Sequence, residues 1–303
     1  MTADVPASQA ARAAAPSAQS SVERAADRAS GAPAGLVDGD ETLRAVRGLA
    51  PLSPVTLITG AGRGIGAATA LLLAERGHDV ALNYRQDAGA AEAIAASVRA
   101  MGRRAMTVRA DVADPEQVAA MFVAVDEGLG RVTGLVNNAG VVAPSASLAD
   151  LSPDRIRRVF DVNVFGLIYC TQQAAARMST ASGGRGGAIV NLSSRAARRG
   201  SPNVYSDYAA SKGAVDTLTL SLGHELIGLG IRVNGVRPGI IETDIHADSV
   251  PADQLRARLG EAAKGIPIGR LGRAEEIAEA IAWLMSDAAS YTVGATLDVG
   301  GGR

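Results

Sequence analysis

Cysteine is almost absent from this sequence, in which Cys170 is the single thiol among 303 residues. One thiol cannot form an internal disulfide, and the three histidines are scattered rather than grouped. The sequence therefore predicts a reducing, cytoplasmic environment and no Cys/His metal site.

The sequence also lacks an excess of basic charge and a long apolar run. Its formal net charge is −1, whereas proteins that bind nucleic acids carry clustered lysine and arginine. No apolar run reaches the roughly 18–20 residues that span a bilayer. We therefore expect neither a nucleic acid nor a membrane as partner. Hydrophobic residues at 47% and charged residues at 20% are instead typical of a globular protein.

Residues 1–53 lack the regular apolar spacing of a helix or a strand. They are rich in Ala, Ser, Arg and Asp, and prolines and glycines interrupt them throughout. This composition predicts a flexible, disordered tail that holds at most a short helix near residues 41–48. We expect residues 54–303 to form a single domain.

After residue 53, short apolar runs alternate with stretches of helical spacing. Asp114-Pro115 and Ser152-Pro153 predict two helix starts, and the second helix is expected to run to about Ser179. The alternation predicts an α/β domain with a doubly wound parallel sheet of about seven strands. The predicted strands are 55–59, 79–84, 105–111, 134–140, 187–194, 231–239 and 295–299. The other predicted helices are 67–77, 206–229, 251–263 and 274–286.

The first predicted strand runs into a glycine-rich turn, TGAGRGIG (59–66). Gly60, Gly64 and Gly66 would let the backbone approach a pyrophosphate at the N-terminus of the following helix. A glycine turn alone also fits an ordinary tight connection. Its place between a strand and a helix favours dinucleotide binding.

The end of the second predicted strand bears on the choice of cofactor. Proteins that bind NAD usually carry an acidic residue there to hold the ribose 2′-hydroxyl. This sequence has Tyr84 and Arg85 instead, with Asp87 as the nearest acid, and Arg63 in the glycine turn adds a second cation. Two guanidinium groups suit a 2′-phosphate, although both could simply be solvated. We predict that NADP(H) is preferred over NAD(H).

Tyr208 and Lys212 are four residues apart in a predicted helix, so they share one helix face. A neighbouring ammonium favours the phenolate and lowers a tyrosine pKa from about 10 toward neutral pH. Ser194 ends the preceding strand at the carboxyl edge of the sheet, where ligands bind in such folds. We predict that Tyr208 is a general acid/base. Tyr205 is not a candidate, because Ala209 stands four residues after it.

These motifs, in this order and spacing, resemble those of the short-chain dehydrogenase/reductase family over about residues 54–303. NNAG (137–140), Asn163 within DVNVFG and RPG (237–239) complete the match. The sequence looks like the members that act as 3-oxoacyl-carrier-protein reductases or sugar dehydrogenases. The resemblance implies a Rossmann fold, a nicotinamide cofactor, and hydride transfer between that cofactor and a carbonyl or secondary alcohol carbon.

The resemblance also implies roles for individual residues. Tyr208 would donate or accept the proton, Ser194 would bind the substrate oxygen, and Ser193 would be structural. Lys212 would lower the pKa of Tyr208 and hold the nicotinamide ribose, while Asn163 would anchor a water chain that reaches Lys212. With the glycine turn and the strand end, the predicted cofactor-binding residues are Gly60, Arg63, Gly64, Ile65, Gly66, Tyr84, Arg85, Asp111, Val112, Asn138, Ala139, Gly140, Tyr208, Lys212, Pro238, Gly239, Ile241 and Thr243.

The substrate is less well defined than the reaction. A carrier-protein reductase is expected to have basic residues near the end of the Tyr208 helix, where this sequence has His224 and Leu229. That difference disfavours 3-oxoacyl reduction, and oxidation of a sugar or polyol is the alternative. A non-catalytic NADP(H)-binding sensor or scaffold is a further alternative, because fold does not fix function. A serine hydrolase is disfavoured because no G-x-S-x-G motif occurs.

Two longer segments lead to predictions about access and assembly. Residues 240–268 are mixed in polarity and bounded by glycines, which predicts a lid over the substrate. The helices at 153–179 and 206–229 carry small and apolar residues on more than one face, which predicts burial against the sheet and against a second subunit. The resemblance implies a homotetramer, with a dimer as the alternative.

Overall fold

The computed structural model describes residues 52–243 and 260–303. The predicted tail falls almost entirely outside the described residues, as do the helix expected near 41–48 and the helix expected at 251–263. Of the predicted lid, only 240–243 and 260–268 are described, and residues 260–264 are helical.

The centre of the domain is a seven-stranded sheet in the order β3-β2-β1-β4-β5-β6-β7. Every neighbouring pair of strands is parallel, which confirms the predicted doubly wound α/β fold. The order reverses between β1 and β4, and a crevice for ligands opens at that point in such sheets. The strands are β1 (Val55–Ile58), β2 (Asp79–Tyr84), β3 (Ala105–Arg109), β4 (Gly134–Asn137), β5 (Gly187–Leu192), β6 (Ile231–Pro238) and β7 (Thr296–Val299).

Helices cover the sheet on both faces, which explains why the central strands β1 and β4 are buried at every position. Leu73 and Ile281 belong to one core layer, and Phe122 and Cys170 belong to the other. The helices are α1 (Gly64–Glu75), α2 (Ala88–Ala100), α3 (Pro115–Gly128), α4 (Pro153–Phe160), α5 (Gly166–Met178), α6 (Ala196–Arg199), α7 (Ser206–Leu226) and α8 (Ala274–Met285).

Capping side chains start the helices where the sequence indicates. Asp114 accepts hydrogen bonds from the amides of Glu116 (2.9 Å) and Gln117 (3.1 Å) at the start of α3. Ser152 accepts one from the amide of Arg155 (3.3 Å) at the start of α4. Helix α2 has no counterpart in the sequence prediction, and Asp87 caps it through the amide of Ala90 (2.8 Å).

The helix predicted to run from residue 153 to about Ser179 is interrupted. A π-helical turn at Asp161–Phe165 separates α4 from α5. Such a turn inserts one extra residue, and it is often found at functional sites. The buried Asn163 lies in the middle of this turn.

No helix within the two described ranges is long and apolar enough to cross a membrane. The single thiol, Cys170, is buried on α5, and burial raises its pKa to about 12. The thiol therefore stays protonated and packs as an apolar group.

Candidate active site

The glycine turn between β1 and α1 needs its glycines for two different reasons. Gly60 and Gly64 have φ values of +64° and +55°, which side chains other than glycine rarely adopt. A Cβ on Gly66 would lie 2.6 Å from the main-chain oxygen of Gly60 and 2.6 Å from Nδ2 of Asn138. The turn is therefore packed directly against the loop that follows β4.

The N-terminus of α1 lies in this turn and is not capped by a side chain. Arg63 is its N-cap residue and makes no capping hydrogen bond with its side chain, and no acidic residue lies in the first turn. Such a helix end offers amide hydrogens and a positive dipole end to an anion. The arrangement fits the pyrophosphate of a dinucleotide.

A cavity of about 680 Å³ lies over the carboxyl ends of β1, β2, β3 and β4. It is lined by most of the residues that we predicted for the cofactor. Gly66 lies beneath it, in the packing just described. The predicted residues that line it are Gly60, Arg63, Gly64, Ile65, Tyr84, Arg85, Asp111, Val112, Asn138, Ala139, Gly140 and Thr243.

Asn83 is a structural part of this cavity that sequence reasoning missed. Its Oδ1 accepts from the amide of Gly60 (3.2 Å), and its Nδ2 donates to the main-chain oxygen of Ala110 (3.1 Å). It thus joins the ends of β1, β2 and β3. A buried amide directly after the apolar residues 80–82 of β2 was the signal that could have identified it.

Asp111 binds two arginines at the edge of the same cavity. Its Oδ2 lies 3.0 Å from a terminal guanidinium nitrogen of Arg158 and 3.7 Å from one of Arg85. Arg158 lines the cavity from α4. Only the folded chain brings α4 to the end of β3, so nothing in the local sequence marked Arg158.

A second cavity, of about 380 Å³, adjoins the first one. Ile65, Asn138, Gly140, Val142 and Thr243 line both cavities, so the two form a continuous groove. Three of the four predicted catalytic residues line the second cavity. The predicted site residues found only there are Ser194, Tyr208, Lys212, Pro238, Gly239 and Ile241.

Tyr208 lines this second cavity, and its side chain hydrogen-bonds with Ser194. Burial raises the pKa of Tyr208 to about 12, and the hydrogen bond with Ser194 opposes only part of that shift. The sequence predicts that the ammonium of Lys212 lowers this pKa, but Lys212 is not among the groups that shift it. Burial has the largest influence, so Tyr208 holds its proton at neutral pH.

Lys212 directs its ammonium to the main chain rather than to the tyrosine oxygen. Its Nζ donates to the main-chain oxygen of Leu192 (2.6 Å) and lies 5.8 Å from the ring centre of Tyr208. Burial lowers the pKa of Lys212 to about 8, against the opposing influence of the Asp216 carboxylate. At neutral pH the ammonium is therefore mainly charged.

The two neighbouring serines have different contacts. Ser193 is buried, and its Oγ donates to the main-chain oxygen of Lys212 (3.1 Å). Ser194 is only half-buried, and its Oγ accepts from the amide of Ala196 (3.1 Å). Its oxygen thus stays available on the cavity side, beside Tyr208.

Asn163, the fourth predicted catalytic residue, lines neither cavity. Its Oδ1 accepts from the amide of Val141 (2.8 Å), and its Nδ2 donates to the oxygens of Val141 (3.0 Å) and Ser211 (3.0 Å). A Cβ on Gly140 would lie 3.4 Å from Oδ1 of Asn163 and 3.5 Å from Nζ of Lys212. Asn163 and Lys212 therefore approach each other beside Gly140, where the loop after β4 meets α7.

An ion pair that the sequence did not indicate holds the start of α7. Arg155 donates from Nε and a terminal nitrogen to the two carboxylate oxygens of Asp207 (2.8 and 3.1 Å). It also donates to the main-chain oxygen of Pro144. Since Asp207 directly precedes Tyr208, this pair links the tyrosine's helix to α4 and to the loop after β4.

Comparison with known families agrees with this geometry. Residues 60–303 match a family model described as Enoyl-(Acyl carrier protein) reductase. The chain belongs to the short-chain dehydrogenase/reductase family. Members of this family are oxidoreductases that bind nicotinamide cofactors, and the glycine turn and the larger cavity could hold such a dinucleotide.

Curated relatives within the short-chain dehydrogenase/reductase family cover nearly the same part of the chain. An uncharacterized oxidoreductase, YgfF, of Escherichia coli is 47% identical over 82% of this chain and 99% of its own length. A cis-4-hydroxycyclohexanecarboxylate dehydrogenase of Sinomonas cyclohexanicum is 45% identical over 82% of this chain and 95% of its own. An L-rhamnose 1-dehydrogenase (NAD(P)(+)) of a Sphingomonas strain is 40% identical over 81% of this chain and 94% of its own.

Proposed function

We propose that this protein is an NADP(H)-preferring reductase or dehydrogenase that interconverts a carbonyl compound and a secondary alcohol, with Tyr208 as its acid/base. The observation that carries the proposal is the position of Tyr208 with Ser194 and Lys212 in the cavity that adjoins the dinucleotide site. A substrate in the smaller cavity would contact both the tyrosine hydroxyl and the end of a bound cofactor.

The bound nicotinamide would supply the hydride, with its electron pair, to the carbonyl carbon in reduction. Tyr208 gives its proton to the carbonyl oxygen, whose π electron pair becomes the new O–H bond. Ser194 donates a hydrogen bond to the same oxygen and stabilises the developing negative charge. In alcohol oxidation the same groups act in the reverse order. A tyrosine that is protonated at neutral pH suits the reductive direction.

Lys212 supports the tyrosine through its charge. Its ammonium, fixed by the oxygen of Leu192, stabilises the phenolate that forms when Tyr208 loses its proton. The family resemblance assigns it a second role in holding the nicotinamide ribose. Asn163 fixes the loop after β4 through Val141, beside the lysine, and we propose that it anchors the water chain that returns the proton.

Two observations support a preference for NADP(H). Arg63 and Arg85 both line the larger cavity, where their guanidinium groups can bind a 2′-phosphate. Asp87, the acid nearest the end of β2, is engaged as the N-cap of α2 through Ala90. Its carboxylate is therefore less available to hold a ribose 2′-hydroxyl.

The relatives and the surface extend the proposal to substrate and assembly. The relatives' names include a cyclic hydroxy acid and a sugar as substrates, so we propose a small ketone or secondary alcohol for this chain, with sugar or polyol oxidation as the alternative to 3-oxoacyl reduction.

Phe165 and Leu220 are 44% and 50% exposed on the π turn and on α7. Exposed apolar groups of this size favour a homo-oligomer, for which we propose a tetramer in the cytoplasm.

The test is a fluorescence titration with NADPH and NADH, followed by cofactor consumption with a panel of ketones, oxo acids, acetoacetyl thioesters and sugar lactones. We expect tighter binding of NADPH and turnover of one substrate class. Binding of NADPH without turnover of any compound would instead support a non-catalytic sensor. Tighter binding of NADH would show that the roles given to Arg63 and Arg85 are wrong.

A further inference from the structure

The smaller cavity has an unusual charge for a site that takes a neutral ketone. Among the described residues that line it, Arg195, Arg199 and Arg303 are arginines and none is acidic. Lys212 adds a fourth basic group at the catalytic end. Since a cleft lined by positive charge attracts anions, the pairing of each arginine decides which charges are available to a ligand.

Arg195 is already engaged by the protein. One terminal nitrogen of its guanidinium pairs with Asp298, and its Nε donates to the main-chain oxygen of Arg303 (2.6 Å). Asp298 also accepts from Arg237 (3.2 Å). These contacts neutralise Arg195 and give it the structural role of joining α6 to the chain after β7.

Arg199 and Arg303 are different, because neither side chain makes a hydrogen bond or ion pair with any other described residue, and Arg199 is the exposed one of the two. Arg199 lies at the end of α6, the short helix that begins two residues after Ser194. This helix therefore places Arg199, whose side chain has no partner among the described residues, at the cavity that contains Tyr208. Arg198 is also exposed, but it does not line the cavity.

The lining also includes six branched aliphatic side chains. Such a lining favours a compact carbon skeleton over a strongly hydrated polyol. The six side chains are those of Ile65, Val142, Leu192, Val204, Ile240 and Ile241.

We propose that the substrate is a compact oxo or hydroxy carboxylic acid, whose carboxylate binds Arg199 while its carbonyl or hydroxyl group binds Tyr208. This inference rests on the proposed function. A planar guanidinium matches a carboxylate through two parallel hydrogen bonds. Of the two arginines on α6 only Arg199 lines the cavity, and one guanidinium matches the single charge of a carboxylate. Arg199 is thus a specificity-determining residue that acts on KM and leaves the proton transfer to Tyr208.

The experiment compares matched pairs of ketones, each offered as a free acid and as its methyl ester: acetoacetate, levulinate and 4-oxocyclohexanecarboxylate. The three acids differ in the separation of the carboxylate from the carbonyl. We expect kcat/KM with NADPH to favour the best acid over its ester by about tenfold or more, and to lose that preference at high ionic strength. Dihydroxyacetone phosphate and dihydroxyacetone test a phosphate in place of the carboxylate. We expect the preference for this phosphate ester over its neutral ketone to be smaller than the preference for the best acid over its methyl ester.

Arg199→Ala should raise KM for the acid by about ten- to a hundredfold and leave kcat/KM for the ester nearly unchanged, since a hydrogen-bonded ion pair is lost. Arg199→Lys should restore part of the preference. Arg198→Ala, the matched control, removes an equal charge from the same helix outside the cavity and should retain the preference. Melting temperatures of the three variants establish that each one folds.

The outcomes separate this inference from the function on which it rests. Turnover of ketones with no preference for the acids, or a preference that survives Arg199→Ala, would overturn the carboxylate site and leave the reductase intact. A stronger preference for the phosphate ester would overturn the choice of carboxylate. Absence of turnover with every ketone would overturn both proposals.

Discussion

Lys212 donates a hydrogen bond from its Nζ to the main-chain oxygen of Leu192, the last residue of β5, over 2.6 Å. The bond fixes the ammonium beneath the end of the strand and 5.8 Å from the ring centre of Tyr208. Burial at this position lowers the pKa of the lysine to about 8. A buried ammonium with that pKa changes its charge within the pH range of an ordinary enzyme assay.

The first prediction follows from this titration. The ammonium is charged below about pH 8 and neutral above it, while Tyr208, with a pKa of about 12, keeps its proton across this range. The charged lysine stabilises the phenolate product of proton transfer. We therefore expect kcat/KM for ketone reduction to fall as the pH rises through about 8, measured at saturating NADPH in a buffer of constant ionic strength.

Asp216 tests whether Lys212 is responsible for that midpoint. Its carboxylate raises the pKa of Lys212, so Asp216→Asn should move the midpoint of the pH profile to lower pH. Asp298 is a matched control, because it pairs with the same Arg237 but does not act on the lysine. Asp298→Asn should keep the midpoint. Equal shifts in both variants, or none in either, would assign the midpoint to another group.

The second prediction concerns the acid/base itself. Tyr208→Phe removes the hydroxyl and keeps the ring, so turnover should fall by about a hundredfold to ten-thousandfold, with the Kd for NADPH nearly unchanged. Tyr205 offers a comparison, since its ring meets that of Tyr208 edge-on with centres 5.6 Å apart. Tyr205→Phe should cost much less turnover. Comparable rates in Tyr208→Phe and the unmodified protein would refute the acid/base assignment.

The third prediction concerns the cofactor phosphate. Arg85 lines the larger cavity and lies 3.7 Å from Asp111, which also pairs with Arg158. Arg85→Ser should weaken NADPH binding by about tenfold or more and change NADH binding little, because only NADPH carries the 2′-phosphate. Arg76→Ser removes a cation at the other end of α1 and should alter neither Kd. A parallel loss of both cofactors in Arg85→Ser would indicate a structural role instead.

The parts of the molecule that the sequence predicted are those set by local chemistry. Three such features can be recognised from a few adjacent positions: the glycines in a strand–helix turn, Asp114 before a proline, and Tyr208 four residues before Lys212. The number of strands and their places along the chain followed from the same local patterns. The π turn around Asn163 did not, because a single inserted residue between two helices is not distinct from ordinary variation in apolar spacing.

Charges whose partners come from distant parts of the chain could not be predicted. Arg158 meets Asp111 only because α4 packs beside the end of β3. The raised pKa of Tyr208 likewise depends on burial by segments far away in sequence. An i, i+4 pair indicates that two groups are near each other, but the balance between burial and charge is a property of the folded site.

The last prediction concerns two arginines on the same helix, α4. Arg155 and Asp207 have side chains that are only 14% and 2% exposed, and they pair through both carboxylate oxygens. Arg155→Met would leave a buried carboxylate without its cationic partner, which costs about 3–5 kcal/mol. We expect a loss of that size in the free energy of unfolding, measured by urea denaturation.

Arg157 supplies the contrast, since it pairs with Asp154 on the surface, where both side chains are largely exposed. Arg157→Met should change stability little, because solvent screens such pairs. Arg155 also holds the residue before Tyr208, so Arg155→Lys, which restores the charge but not the paired geometry, should recover stability more fully than kcat. Equal effects of the two methionine variants would show that the buried pair contributes no more than a surface pair. Full recovery of kcat in Arg155→Lys would show that the exact geometry of this pair does not position the catalytic tyrosine.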